Sequence, residues 1–154
     1  MTKTKILIAT GGTGGHIFPA YSLANYLKNK NFSVKLTTDK RGLKYLKNYK
    51  NLNLKKIPSS PLIKSNVLKL SISVSIIVFS ILKSLLFLLF NRPAIIIGMG
   101  GYSSFPICFA ASILKINFII YENNLILGKA NKYLLPFAKK IFVSHEEIEG
   151  ISTK

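Results

Sequence analysis

Thr10-Gly11-Gly12-Thr13-Gly14-Gly15-His16 decides the fold of this chain, because it joins an apolar run, Ile6-Leu7-Ile8-Ala9, to a helical pattern. Glycines carry no side-chain bulk, so the backbone of this turn can adopt positive φ and approach a ligand closely. The unpaired N–H groups at the start of the following helix favour an anion there. We therefore expect a phosphate-bearing ligand at this turn, with the Thr13 hydroxyl beside it and His16 at its mouth.

Short apolar strands alternate with helical stretches along the rest of the chain. We predict strands over residues 5–10, 33–38, 52–57, 94–98, 117–121 and 140–143, and helices over 19–30, 42–49 and 67–90. This alternation predicts one α/β domain over residues 1–154, a Rossmann-like parallel sheet with helices on both faces. The β-branched run at 94–98 is typical of a strand that is buried on both faces.

Three loops at the carboxyl ends of the predicted strands are rich in glycine or polar residues. They span residues 11–16, 98–104 and 122–128. Ligands bind at the carboxyl ends of the strands in such sheets, near the point where the strand order reverses. We therefore expect these loops to form one composite site.

The charge is strongly positive, with 22 basic residues against 5 acidic ones and a net charge of +17. This favours anionic partners, although a lysine-rich surface left by biased codon usage explains it equally well. No zinc finger, RNA-recognition motif or arginine-rich arm is present, so a membrane surface or a lipid-linked phosphate fits better than nucleic acid. Asp39 is the one acid among the first 121 residues. We expect Cys108 in the core, and no cluster of His, Cys or Asp predicts a metal site.

The segment 67–90 is almost wholly apolar, and between Leu70 and Phe90 only Lys83 is charged. A transmembrane helix is therefore one interpretation. Helical spacing, however, brings the polar residues onto one narrow arc, which comprises Lys69, Ser73, Ser80, Lys83 and Ser84. This stripe, and the position between two parallel strands, favour a crossover helix whose surplus apolar surface rests on an anionic membrane.

The second and third loops have their own candidates. We predict that Ser103 or Ser104 caps the next helix and that Tyr102 contacts a ligand. After the fifth strand, Asn123 and Asn124 offer donors and acceptors suited to sugar hydroxyls. Glu122 beside them is either functional or paired with a lysine.

Together the three loops resemble the MurG family, bacterial transferases that add N-acetylglucosamine to lipid I. The resemblance lies in three stretches, Gly11-Gly12-Thr13-Gly14-Gly15-His16-Ile17-Phe18-Pro19, Gly98-Met99-Gly100-Gly101-Tyr102-Ser103-Ser104-Phe105-Pro106, and Glu122-Asn123-Asn124 with Gly128, Asn131 and Lys132. It extends from about residue 5 to 143. The family has His-Glu-Gln-Asn at the third motif, where Tyr121 and Asn123 here replace His and Gln.

The resemblance implies the N-terminal domain of a GT-B glycosyltransferase of peptidoglycan synthesis, inverting and without a metal ion or cofactor. It implies that the glycine loops receive the acceptor diphosphate, and that His16 or Glu122 deprotonates or orients the acceptor hydroxyl. The substrate-binding residues it implies are Thr13, Gly14, Gly15, Asn124, Gly100, Gly101, Tyr102 and Ser103. It implies peripheral attachment to the cytoplasmic side of the inner membrane, for which the segment offers Lys64, Lys69, Phe79, Leu82, Lys83 and Phe87.

The family has a second Rossmann-like domain that holds most contacts to UDP-N-acetylglucosamine, and the sequence stops at Lys154. We therefore expect an acceptor-binding half that is inactive alone. The alternatives are a non-catalytic, membrane-associated binder of lipid-linked diphosphate sugars, and an inactive truncated remnant.

Overall fold

A computed structural model describes residues 3–49, 52–63 and 65–151. Its strands are β1 (Lys5–Ala9), β2 (Ser33–Thr38), β3 (Leu54–Lys56), β4 (Ile95–Gly98), β5 (Phe118–Glu122) and β6 (Lys140–Val143). Its helices are α1 (Gly14–Asn29), α2 (Lys40–Leu46), α3 (Val67–Phe90), α4 (Phe105–Ile113) and α5 (Lys129–Leu134), with a short 3-10 helix at Leu135–Phe137.

The strands form one parallel sheet in the order β3-β2-β1-β4-β5-β6. The chain runs outward from β1 in one direction and then restarts beside β1 with β4, so the strand order reverses between these two strands. This reversal confirms the predicted Rossmann-like fold. It also makes the loops after β1 and β4 neighbours, which is where ligands bind in such sheets.

Each face of the sheet packs against a different set of helices. One face buries Leu7, Ile96 and Phe118 under α3, α4 and α5, and Cys108 lies in this core as expected. The other face buries Ile8 and Leu36 under α1 and α2. Helices therefore cover both faces, as the α/β pattern predicts.

The face under α1 is incompletely covered over β4, β5 and β6. Ile97 is only partly buried there, so the prediction that β4 is buried on both faces is wrong on this side. A hollow of about 350 Å³ lies over this part of the sheet. Its lining comprises Pro19, Leu23, Ile97, Met99, Ile119, Tyr121 and Phe142. Of α1, Pro19 and Leu23 border the hollow, so this helix reaches its edge without filling it.

The helix α3 has the predicted bounds, and Asn66 caps it by accepting a hydrogen bond from the Lys69 N–H at 2.8 Å. By length and composition it is long and apolar enough to cross a membrane. The predicted polar stripe, however, faces water only at its two lysines. Its three serines, Ser73, Ser80 and Ser84, are the buried side of the helix, whereas the two lysines of the stripe are exposed.

The buried serines of α3 donate their hydrogen bonds within the helix, and Ser73 also accepts one from the Ile63 N–H at 3.3 Å. Each hydroxyl donates to the carbonyl four residues earlier, at 2.7 Å from Ser73, 2.6 Å from Ser80 and 2.7 Å from Ser84. Such bonds satisfy the hydroxyl locally, so serine acts here as a small residue that lets α3 approach α4 closely. Periodicity located the polar arc, and the structure shows that its serines lie on the side of α3 that packs on the domain.

The start of α1 differs most from the sequence prediction, because the helix begins at Gly14 rather than at Pro19. Thr13 is its N-cap by position, and its carbonyl accepts hydrogen bonds from the N–H groups of His16 and Ile17, each at 3.2 Å. Glycine disfavours a helix by itself, so contacts with the rest of the loop must hold the first turn. Among the other elements, α2 begins and ends earlier than predicted, at Lys40 and Leu46, and α5 was not predicted.

Candidate functional site

The loops after β1, β4 and β5 lie at the edge of the sheet where the strands end. This edge is called the carboxyl edge below. A Cβ placed on Gly100 would lie 3.2 Å from the Cε1 atom of His16 and 3.3 Å from the carbonyl oxygen of Tyr121. The first loop, through His16, and the end of β5, through Tyr121, therefore both lie against the backbone of Gly100. Because the third loop follows β5 directly, all three loops lie at this edge of the sheet, as predicted.

The first loop is shaped by close packing against the second. A Cβ on Gly11 would lie 2.6 Å from the Cβ of Ser103, which is too close for any other residue at this position. The Thr10 hydroxyl donates to the His16 carbonyl at 2.9 Å and so closes the loop on itself. Thr13 is exposed and its hydroxyl makes no capping hydrogen bond. The predicted ligand-facing position of Thr13 is thus compatible with its surroundings.

His16 joins the first and second loops through its ring. The imidazole lies along the backbone of Gly100 and Gly101, whose φ angles of +84° and +70° are the left-handed region that favours glycine. Side chains at either position would press on the ring, because the Cβ positions lie 3.2 and 3.3 Å from its nearest atoms. The Nδ1 atom is buried and has no hydrogen-bond partner within the described residues. The two glycines therefore fix the position of the His16 ring, and its Nδ1 atom remains without a hydrogen bond in the described part of the chain.

The serines of the second loop do not cap α4 through their side chains. Ser104 occupies the N-cap position of α4, as predicted, but its hydroxyl donates back to the carbonyls of Gly100 at 3.1 Å and Gly101 at 2.9 Å, so the expected side-chain capping bond is not formed. Ser103 contacts Ser59 through the two hydroxyls at 3.2 Å. Both serines therefore hold the loop in shape. Tyr102 between the glycines and the serines is half-buried.

Glu122 organises the third loop from a buried position, with 1% of its surface exposed. The Oε1 atom accepts from the N–H of Asn124 at 3.1 Å and from the side-chain amide of Asn124. The Oε2 atom accepts from the Gly128 N–H at 2.9 Å and the Asn131 amide at 2.9 Å. Four donors thus occupy both carboxylate oxygens.

These contacts decide what the carboxylate can do. Burial acts to raise the pKa of Glu122, but the hydrogen bonds from Gly128, Asn124 and Asn131 outweigh it and hold the pKa below its ordinary value. A buried carboxylate whose acceptors are occupied is a poor general base. These contacts favour a positioning role for Glu122 over that of the base, and its side-chain partners are asparagines rather than a lysine. Asn131, which the sequence analysis gave no role, is one of them.

The two positions at which the third motif departs from the family pattern are bonded to each other. The Tyr121 hydroxyl donates to the Asn123 side-chain oxygen at 3.0 Å. The two replacements therefore act as a pair, while Asn124 stays on the carboxylate of Glu122.

A second buried carboxylate, Asp39, was missed as a site residue. It follows β2, is 4% exposed, and accepts hydrogen bonds from the Gly12 N–H at 3.3 Å and the Ser59 hydroxyl at 3.2 Å. Burial acts to raise its pKa, but the N–H groups of Gly42 and Gly12 and two serine hydroxyls lower the pKa below its ordinary value. The sequence feature that could have identified Asp39 is that it is the one acid among the first 121 residues, because a single acid in a long basic stretch has no evident surface role.

The residues proposed for membrane contact lie on and beside α3. Phe79 and Leu82 are 58% and 55% exposed, and Lys69 and Lys83 are exposed as well. Phe87 is different, because it is 9% exposed and its ring lies beneath the Nζ atoms of Lys35 at 5.4 Å and Lys55 at 5.9 Å. Phe87 belongs to the core, so its assignment to the membrane is wrong. Lys64 lies outside the described residues.

The outer face of α3, hereafter the apolar face, is the largest exposed hydrophobic surface of this helix. The residues that share it are more than two fifths exposed and comprise Leu68, Ile72, Val74, Val78, Phe79, Leu82, Leu86, Leu89 and Phe90. At 3.6 residues per turn they lie opposite the buried serines. Within the described part of the chain no group of three or more His, Cys, Asp or Glu residues is placed to hold a metal ion.

Comparison with known proteins gives one consistent match. Residues 6–143 match the model of the glycosyltransferase family 28 N-terminal domain. The chain is 39% identical over 150 residues to the UDP-N-acetylglucosamine--N-acetylmuramyl-(pentapeptide) pyrophosphoryl-undecaprenol N-acetylglucosamine transferase of Pelagibacter ubique (strain HTCC1062), an alignment that covers 97% of this chain and 41% of that protein. The transferase of the same name from Rickettsia felis is 39% identical over 153 residues, covering 96% and 39%.

The crystal structure of Acinetobacter baumannii MurG superposes with a TM-score of 0.81 at 26% identity, over 99% of this chain and 45% of that one. The chain spans about two fifths of the length of the relatives that it matches.

Proposed function

The chain belongs to glycosyltransferase family 28 as its N-terminal domain, and on that premise we propose that it forms the acceptor-binding half of an enzyme that transfers N-acetylglucosamine to lipid I. The donor is UDP-N-acetylglucosamine and the product is lipid II, as in the reaction for which the relatives are named. In those relatives further chain accompanies the matched part, and it supplies most of the donor site in this proposal.

The observation that carries the proposal is that His16 of the first loop and the Tyr121 carbonyl, just before the third loop, both lie against Gly100 of the second loop. The glycine loops are free of side-chain bulk and the first leads into α1, so N–H groups and the positive end of the helix dipole favour a diphosphate there. Asn124 and the exposed Thr13 supply polar groups for a sugar or phosphate.

His16 accepts the proton of the acceptor hydroxyl in this proposal. A neutral imidazole has one nitrogen that can accept a proton. Contact with Gly100 and Gly101 fixes the ring, so the base does not have to be ordered when substrate binds. Glu122 is a positioning residue, which holds Asn124 and the backbone of the third loop.

The apolar face attaches this half to the cytoplasmic surface of the membrane, where a lipid-linked acceptor resides. An interfacial position is supported by the opposite side of α3, whose serines, Phe87 and Leu88 are buried against the rest of the domain. A spanning position would remove those residues from the core. The exposed Lys69 and Lys83 lie at the border of the apolar face, where they can contact anionic headgroups.

The test is transfer of radiolabelled N-acetylglucosamine to lipid I by this chain mixed with the C-terminal part of the Pelagibacter ubique relative. His16→Ala should lower turnover by roughly 10²–10⁴-fold, the usual contribution of a general base, while lipid I binding is largely kept. The exposed His145→Ala is the matched control and should leave turnover unchanged.

Unchanged turnover in His16→Ala would refute the assignment of the base. Lipid I binding without transfer in any mixture would favour the non-catalytic binder instead.

A further inference from the structure

The loop after β2 ties the carboxyl edge together through one side chain. The Asp39 Oδ1 atom accepts from the Gly12 N–H in the first loop and, at 2.8 Å, from the Gly42 N–H in the first turn of α2. Its Oδ2 atom accepts from Ser59, which in turn contacts Ser103 in the second loop. A single buried carboxylate therefore links the segments after β1, β2, β3 and β4.

Arg41 is the one cation that contacts this carboxylate in the described part of the chain. Its Nε atom lies 3.4 Å from Asp39 Oδ2, and its guanidinium carbon lies 4.8 Å from the centre of the Tyr102 ring. Its side chain is 50% exposed, and its two Nη atoms donate no hydrogen bond to a described residue. Asp39 thus holds the guanidinium at its Nε atom and Tyr102 packs against its face. The two Nη atoms remain available to a ligand.

The free nitrogens lie beside the first glycine loop. A Cβ on Gly12 would be 3.3 Å from the Nη2 atom of Arg41, so the guanidinium packs along the backbone there. Gly12 has a φ of +85° and stands two residues before α1, a helix of 16 residues. An anion in this loop would meet both the N-terminal end of a long helix and a fork of unoccupied donors.

The ion pair between Asp39 and Arg41 is weak, so Arg41 can still bind another anion. A contact of 3.4 Å is longer than the 2.7–2.9 Å of a strong charge-assisted hydrogen bond, and a half-exposed pair of this kind is weak. Asp39 already accepts from two backbone N–H groups and a hydroxyl. The pair therefore orients the guanidinium and leaves it able to bind a second anion.

We propose that Arg41 binds the diphosphate of the substrate at the glycine loops, with Asp39 and Tyr102 as positioning residues. Its planar fork can donate two parallel hydrogen bonds to phosphate oxygens, which a lysine ammonium cannot do. The identity of the substrate rests on the proposed function, but the chemistry requires only a diphosphate. A lipid-linked acceptor and a nucleotide sugar both carry one.

The experiment is calorimetric titration of the whole chain with inorganic pyrophosphate. Arg41→Ala should weaken binding roughly 10-fold or more, the value of a lost charged hydrogen bond, and Arg41→Lys should restore it only in part. Lys44→Ala is the matched control, since it removes an equal charge from an exposed position one turn later in α2, and it should change binding less than about 2-fold. Parallel titrations with UDP and with undecaprenyl diphosphate in detergent then identify which diphosphate depends on Arg41.

The role of Asp39 is tested by a double-mutant cycle. Asp39→Asn should weaken pyrophosphate binding in the wild-type chain but add little in the Arg41→Ala chain, because the residue acts through the arginine. A purely structural role would weaken binding equally in both backgrounds.

Three results would overturn the proposal. They are no binding of pyrophosphate by the wild-type chain, full binding by Arg41→Ala, and equal losses in Arg41→Ala and Lys44→Ala. The transfer assay is independent of these outcomes. Pyrophosphate binding that depends on Arg41 supports this proposal even if the reassembled enzyme transfers nothing, and active transfer without such dependence supports only the proposed function.

Discussion

The carboxyl edge and α3 both bury polar side chains, but their hydrogen bonds reach different distances along the chain. At the carboxyl edge, Asp39 and Glu122 accept from near neighbours and also from residues in other segments, such as Gly12, Ser59 and Asn131. On α3, the hydroxyls of Ser73, Ser80 and Ser84 donate within their own helix, and only that of Ser73 also accepts from a described residue outside it, the Ile63 N–H. The first arrangement joins several loops, and the second mainly reduces the bulk between two helices.

This difference explains why the carboxyl edge exposes hydrogen-bond donors, whereas α3 exposes apolar side chains. Buried carboxylates hold the loops of the carboxyl edge rigid while donors such as the Arg41 nitrogens remain exposed. On α3, the small serines face the domain and many of the large apolar residues face outward. This helix therefore exposes a hydrophobic surface with few hydrogen-bonding groups. A rigid polar edge suits recognition of a diphosphate and a sugar, whereas an apolar face suits a bilayer.

Among the substitutions that test this comparison between the carboxyl edge and α3, Glu122→Ala is expected to have the largest effect on stability. The change leaves the Gly128 N–H and the Asn131 amide buried without their acceptor, and we expect a loss of roughly 3 kcal/mol in the free energy of unfolding. Urea unfolding followed by circular dichroism measures it.

Two further variants control this prediction. The exposed Glu146→Ala should change stability by less than about 0.5 kcal/mol. Glu122→Gln should fall between them, because it keeps the shape but turns one acceptor into a donor. A Glu122→Ala chain as stable as the control would mean that the carboxylate does not hold the third loop.

A pair of substitutions on α3 should separate its buried side from the apolar face. Ser84→Leu inserts bulk where α3 packs closely, and we expect it to lower the free energy of unfolding by about 1–3 kcal/mol. Leu82→Ser, at a position 55% exposed, should cost less than about 1 kcal/mol but weaken binding to vesicles roughly 5-fold. Urea unfolding and sedimentation with vesicles of phosphatidylethanolamine, with and without phosphatidylglycerol, measure the two effects.

The opposite pattern would break the comparison. If Leu82→Ser unfolded the chain and Ser84→Leu did not, the apolar side of α3 would be the one packed on the domain. Vesicle binding unchanged in Leu82→Ser would remove the support for attachment through this face.

The fold and the three loops were predictable because their signals are local and repeated. Apolar runs separated by helices specify a parallel sheet, and the topology of such sheets then brings the loops after β1 and β4 together. The serines of α3 show where this reasoning fails, since the sequence contains the arc but not the hydrogen bonds that make a buried hydroxyl acceptable. Phe87 was misassigned because the sequence does not show which apolar residues of α3 face the domain.

Asp39 and Arg41 show a second limit of the sequence. Their partners, Gly12 and Tyr102, are 27 and 61 residues away from them, and no spacing rule connects such positions. Only the isolation of Asp39 among basic residues hinted at a special role.

The smallest effect concerns pH and again separates the carboxyl edge from α3. The pKa values of Asp39 and Glu122 lie below their ordinary values of 3.8 and 4.5 in the folded chain, because hydrogen bonds from N–H groups outweigh burial. The unfolded chain therefore binds protons first as the pH falls, so stability is fully present above about pH 4.5 and declines as the pH passes through the lowered folded values. Urea midpoints measured between pH 7 and pH 3 should be level at first and then fall.

The decline with acid should be shallower in Asp39→Asn, which has one fewer carboxyl to protonate, and unaltered in Leu82→Ser, which has lost only apolar surface. If Asp39→Asn and the wild-type chain declined in parallel, the Asp39 carboxylate would contribute the same free energy protonated as ionised. Its hydrogen bonds to the first loop and to α2 would then hold the backbone by geometry alone, and the charge of Arg41 beside it would be balanced by solvent rather than by the carboxylate.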